Sequence, residues 1–124
     1  MNIFQAGEVG DDWSDVLAEL ERAFRMARAA AQAEENFVFV VHHDDLLGRR
    51  GAGKAMVAAG LLSAARTAAI EGARKGWTAN VVAYDDEIDP DLVSGWAERL
   101  AEDSFGVTGE LIRLGSSHLG KALP

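Results

Sequence analysis

Hydrophobic positions along the chain follow two alternating periods. In "DDWSDVLAELERAFRMARAAAQAEE", residues 11–35, Trp13, Val16, Leu17, Leu20, Phe24 and Ala27 recur at helical spacing, and Asp11 or Asp12 stands where a cap is wanted. This predicts an amphipathic helix. "NFVFVVHH", residues 36–43, is a continuous β-branched and aromatic run, the pattern of a parallel strand covered on both faces. "KAMVAAGLLSAARTAAIEGARK", residues 54–75, predicts a second long helix that is apolar or small around most of its circumference, with charges at Lys54, Arg66, Glu71, Arg74 and Lys75. A helix on a sheet needs one apolar stripe, so this one is expected to be buried against a second body. Its row of Ala58, Ala65, Ala69 and Ala73 beside Gly72 would let another helix backbone come close. "WTANVVAYDD" reads as a strand ending in an acidic turn, and "DPDLVSGWAERLAED" as a helix with Asp89 as cap and Pro90 at its first position. "GELIRLG" reads as a short strand; "NIFQ" is a possible fourth, too short for periodicity to decide.

Helices alternating with strands imply βαβ units and a parallel sheet, so the expected class is α/β with helices on both faces and three or four strands. There is no internal repeat, low-complexity tract or linker, and 124 residues make one domain. Composition narrows the partners. The formal net charge of −8 would repel nucleic acid and an anionic membrane rather than attract them. With no cysteine, disulfides, thiolate metal sites and thiol nucleophiles are excluded. No segment has the length of a membrane span, and the amino terminus lacks the features of a cleaved leader; a cytoplasmic protein is expected.

Candidate chemistry gathers at the strand ends. His42, His43, Asp44 and Asp45 follow the first long strand, and Asp85, Asp86 and Glu87 the next. All are ligand types for zinc, iron or manganese, and the carboxyl edge of a parallel sheet is where α/β proteins hold ligands. Against a metal site, adjacent strand residues point to opposite faces, so His42 and His43 share an ion only if the strand has already ended. The plainer reading is a set of solvated turn and capping residues. "GRRGAGK", residues 48–54, holds glycines and cations but lacks the spacing of a dinucleotide fingerprint and the Ser/Thr that follows a phosphate-loop lysine; it reads as a basic turn. His118, Ser63, Ser104, Ser116 and Ser117 have no legible catalytic partner. Trp77 and Trp96 are expected in the core or at an interface.

The order of elements, read with certain strings, resembles the carboxyl-terminal half of the short-chain dehydrogenase/reductase family. "AGLLSAARTAAIEGARKGWTANVVA" looks like the family's catalytic helix and the strand after it, with Asn80, Val82 and Ala83 in register. "SFGVTGELIRLGSS" is similar to its Val-Thr-Gly-Gln stretch at Val107, Thr108 and Gly109, and "FQAGEVGDDW" more weakly to its Asn-Asn-Ala-Gly turn. The resemblance implies a Rossmann-like half sheet in three layers: a single truncated domain, residues 1–124, without the amino-terminal dinucleotide-binding half.

It also implies absences. Laid on residues 54–75, the family's Tyr-x-x-x-Lys pair falls on Lys54 and Ala58, the serine of the preceding strand on His42 and His43, and the asparagine of the proton relay near Leu20. The one tyrosine, Tyr84, falls where the family has a proline. No catalytic, cofactor-binding or metal residue is therefore assigned, and no cofactor is expected. The family's helices matched by residues 13–33 and 54–76 pack against their copies in neighbouring subunits. The expectation is a non-catalytic subunit that associates with itself or with a complete reductase. The alternative is a small metal-binding protein or enzyme using the His42/Asp44/Asp85 cluster. Ala65→Arg is expected to cost little if that face meets water, and to break up an oligomer if it meets another helix.

Overall fold

The two periods resolve into a sheet and its covering helices. The computed structural model describes residues 1–115; Ser116, Ser117 and His118 lie outside them. Strand β1 (Asn2–Gln5) leads to helix α1 (Trp13–Gln32), strand β2 (Phe37–His42), a short helix α2 (His43–Leu46), helix α3 (Ala52–Ala73), strand β3 (Ala79–Tyr84), helix α4 (Pro90–Glu102) and strand β4 (Leu111–Leu114). The four strands form one sheet in the order β1-β2-β3-β4, every pairing parallel. "NIFQ" is thus a strand, registered so that Asn2 lies opposite Phe37 and Gln5 opposite Val40.

The central strands explain their unbroken apolar runs. Phe37, Phe39 and Val41 of β2, with Ala79, Val81 and Ala83 of β3, pack with residues of α1 and α3. Val38, Val40 and Val82 face the other way and meet Val93, Ala97 and Leu100 of α4. Both faces being covered, no position on β2 is left for a polar alternation. The expected three-layer α/β architecture is the one observed. Trp77 is buried beside Phe37, as expected of a core aromatic, whereas Trp96 is only half-buried.

Two helices depart from the expected arrangement. On α1 the face toward the sheet is built from Val16, Glu19, Ala23 and Ala30, while Trp13 (57% exposed), Leu17 (47%) and Phe24 (63%) turn outward. On α3 the small residues do not wait for a partner. Ala58, Ala65 and Ala69 are buried in the chain's own core together with Val57, Leu61 and Leu62. Gly72, at the end of the same helix, passes the next strand's entry closely: a Cβ there would stand 2.4 Å from the Trp77 carbonyl oxygen. The alanine row is therefore a packing surface within the domain, Ala73 alone of the four being exposed. The outward face of α3 carries Met56 and Ile70, 48% and 68% exposed.

The helix ends are fixed by carboxylates. Asp12 caps α1 through the Ser14 N–H, and Asp89 caps α4 through the Asp91 N–H at 2.9 Å, with Pro90 at the first position. Among the described residues no helix is long and apolar enough to cross a membrane.

Candidate functional site at the carboxyl edge of the sheet

Parallel strands deliver their carboxyl ends to one edge, so the segments after β1, β2 and β3 converge there. His42 is the last residue of β2 and also the cap of α2: its Nδ1 accepts the Asp44 N–H at 3.1 Å. An accepting Nδ1 carries no proton, so the hydrogen sits on Nε2, which lies 2.8 Å from Asp86 Oδ1 and donates to it. The ring is 3% exposed and is edge-on to Tyr84, centroids 5.2 Å apart. Both nitrogens are engaged, which leaves neither a lone pair for a metal nor an imidazole free to accept a substrate proton.

The neighbouring acids are similarly committed. Asp85 is buried, and its Oδ1 accepts the N–H groups of Glu87 and Ile88, each at 3.0 Å, closing the turn after β3. His43 has become the first residue of α2 and is also buried. Its Nδ1 is 3.1 Å from Asp44 Oδ1 in a geometry that makes no hydrogen bond. The strand does end at His42, removing the objection that the two imidazoles must point to opposite faces, yet they remain separate, ring centroids 5.6 Å apart. Among the described residues no three His, Asp or Glu side chains converge as a metal-binding group. His42, Asp44 and Asp85 instead hold hydrogen bonds and ion pairs within the two turns.

The basic turn is tied down in the same way. Gly48 and Gly51 adopt positive φ, 71° and 109°, and between them Arg49 and Arg50 fold back onto α2. Arg50 makes a bidentate pair with Asp45 at 2.8 and 2.9 Å and reaches Glu8 at 3.1 Å. The hydrogen bonds to Asp45 are the main reason its guanidinium pKa is raised above the ordinary value, outweighing partial burial. Lys54 Nζ donates to the Val9 carbonyl at 2.8 Å. The amino terminus of α3, the natural place for an anion, already holds one from the chain itself, since the Gly53 N–H donates to Asp11 Oδ1 at 2.8 Å. Gly53 is required there, because a Cβ would stand 2.1 Å from the Gly10 carbonyl oxygen.

Two contributors were illegible in the sequence. Glu19 sits on the inward stripe of α1 where periodicity calls for an apolar residue, and its carboxylate accepts from the Gly7 N–H and pairs with Arg22. Asp11 looks like a cap for the nearby α1 but serves α3 instead. Asn80, matched to the family by resemblance, ties β3 to the segment before β4, donating to the Val107 carbonyl at 2.9 Å and accepting the Glu110 N–H at 3.1 Å. Ser63 lies exposed on α3, away from this edge, and Ser104 is buried just after α4.

What remains open at the edge is a shallow recess of about 270 Å³ bordered by Gln5, Tyr84, Asp86, Pro90 and Ser94. A larger cleft of about 600 Å³ lies elsewhere, between the carboxyl-terminal halves of α1 and α3, with Phe24, Ala27, Ala31, Phe37, Ala68 and Trp77 among its walls.

No protein-family model matches the sequence, and no curated protein does. Solved structures do match the fold. An oxidoreductase of the short-chain dehydrogenase/reductase family from Burkholderia thailandensis superposes with a TM-score of 0.73 at 19% identity, over 90% of this chain and 61% of that one. A short-chain dehydrogenase from Mycobacterium smegmatis gives 0.66 at 23% identity, over 94% of this chain and 58% of that one. This chain has the fold found in short-chain dehydrogenase/reductases and spans about three fifths of the length of these structures.

Proposed function

We propose that this chain is a non-catalytic subunit built on a reductase scaffold, associating through α1 and α3, residues 13–33 and 54–76, with a copy of itself or with a complete short-chain dehydrogenase/reductase. The observation that carries the reading is the exposed apolar face of α1. Three of its large apolar side chains, Trp13, Leu17 and Phe24, are turned to solvent, while Val16, two alanines and a glutamate are turned inward and Leu20 and Met26 are half-buried against the core. Met56 and Ile70 do the same on α3, the helix that packs alongside α1: the Leu20 side chain is 3.5 Å from where a Cβ on Gly60 would be. Burying an aromatic or aliphatic side chain of this size is worth about 1.5–3 kcal/mol, and soluble monomers rarely leave several such groups on one surface. The cleft between the two helices, which Phe24 borders, adjoins this surface with an apolar floor and a rim that includes Arg28, Glu71 and Lys75.

The non-catalytic part rests on the resemblance, register by register. Lys54 stands at the position of the family's tyrosine and Ala58 at that of its lysine. The Lys54 ammonium is spent on the Val9 carbonyl, with Glu8 at 3.8 Å, and alanine has no proton to transfer. His42, where the family has serine, has both ring nitrogens occupied. The positions matched to the family's proton donors therefore offer no general acid.

Leu17→Glu with Phe24→Glu tests the reading. Size-exclusion chromatography is run on the wild type alone and after co-expression with a complete reductase, and both are repeated with the double variant. An assembly that the two glutamates dissolve supports the proposal. A wild type that stays monomeric in both settings overturns it, as does measurable NAD(P)H-dependent reduction by the isolated chain.

A further inference from the structure

We infer that His42 is a pH-sensitive latch, which in its neutral form holds α2 and the basic turn of residues 48–51 in place and on protonation lets them open. This goes beyond the assembly reading and does not depend on it. The geometry is that of a buried imidazole with a role for each nitrogen: Nδ1 accepts the Asp44 N–H at 3.1 Å, and Nε2 donates to Asp86 at 2.8 Å. A second proton has only Nδ1 to go to. It would then face the Asp44 N–H donor to donor, removing the one side-chain cap of a four-residue helix that has too few backbone hydrogen bonds to persist alone.

Among the described residues, the groups in contact with the ring are already engaged. From the β3 side come Tyr84, its ring edge-on at 5.2 Å, and Asp86, which holds Nε2 in either charge state. Asp86 favours the protonated ring, but it is 82% exposed and its attraction is screened by water. From α2 come His43, which would add a like charge if it too were protonated, and Asp44, whose carboxylate already serves Arg49 at 3.3 Å. α4, covering this face of the sheet, turns Val93, Ala97 and Leu100 inward and no titratable group.

Opening would travel forward along the chain. α2 carries Asp45, the bidentate partner of Arg50, and Arg50 precedes the Gly51 start of α3. Releasing α2 therefore loosens the entry to α3 while the sheet, whose pairings do not involve α2, stays intact. The sign is fixed by which state needs the bare Nδ1. The closed latch requires neutral His42, so falling pH opens it and rising pH closes it.

The test is amide exchange and ring-nitrogen NMR on the full chain between about pH 8 and 5, a window that spans histidine titration and stays above most carboxylates. At the upper end the His42 ring should show the Nε2–H tautomer. At the lower end, after allowance for the intrinsic pH dependence of exchange, protection of the Leu47 and Arg49 amides, which close the end of α2, should fall roughly tenfold, the scale of one lost hydrogen bond. His43→Gln should keep this profile and His42→Gln should flatten it. The inference is overturned if the ring carries its proton on Nδ1 at the upper pH, if protection does not change across the window, or if His42→Gln leaves the same transition. Should His42→Gln fail to fold, the wild-type ring shifts and the His43→Gln profile still decide.

Discussion

Single residues are where this molecule departs furthest from its own hydrophobic pattern. Gly53 lies where the backbone after β1 passes α3 so closely that Gly53→Ala would set a Cβ 2.1 Å from the Gly10 carbonyl oxygen. It should cost more than about 2 kcal/mol, read from urea unfolding, since backbone rather than a flexible side chain must move. Gly95 is the control: it lies on the exposed side of α4 with nothing near its missing Cβ, so Gly95→Ala should stabilise by about 0.5–1 kcal/mol. Asp11→Ala should lose about 0.5–2 kcal/mol through the amino terminus of α3, with α1 unaffected because Asp12 caps that helix. None of these roles could be read from the chain. The sequence sets Asp11 and Asp12 side by side before one helix, and only the loop's return toward Gly53 assigns one aspartate to each.

At the scale of elements, legibility followed length and pattern. The fully apolar β2 and β3 and the capped α4 were readable because both-faced burial, or a cap followed by proline, leaves a local signature. α2 was not, because four residues carry no period, and its cap is a histidine, outside the usual set. The uniform apolarity of α3 predicts contact with another body, but Ala58, Ala65 and Ala69 serve close packing under the chain's own sheet. Composition tells how much of a helix is apolar, not which arc the fold covers. A consequence follows for Ala65→Arg: at 1% exposure the guanidinium would be forced beneath β3, so the variant should lose about 4 kcal/mol or more, or fail to fold, whatever its state of assembly. A well-folded Ala65→Arg chain on thermal unfolding monitored by circular dichroism would show that this face of α3 is not part of the domain core.

For the whole molecule, the scaffold was legible as a resemblance because the order of strands and helices survives sequence change, and the superposition onto oxidoreductases of the short-chain family bears out the fold. The strand-end cluster was legible as a set of residue types only. Whether His42, Asp44 and Asp85 join or part depends on turn geometry, and here each is drawn into the turn that carries it. Among the described residues, the apolar groups turned outward on α1 and α3 are left unused by the packing of the domain, as are Leu92 and Phe105 elsewhere. Leu17→Glu and Phe24→Glu together should leave the fold's stability within about 1 kcal/mol, since both sites are exposed, while weakening association at least tenfold. Sedimentation velocity tests this most directly, run on the wild-type chain alone and mixed with a complete reductase, beside the double variant. The account predicts a dimer or a mixed complex for the wild type and a folded monomer for the variant; a wild type that sediments as a monomer in both settings would contradict it.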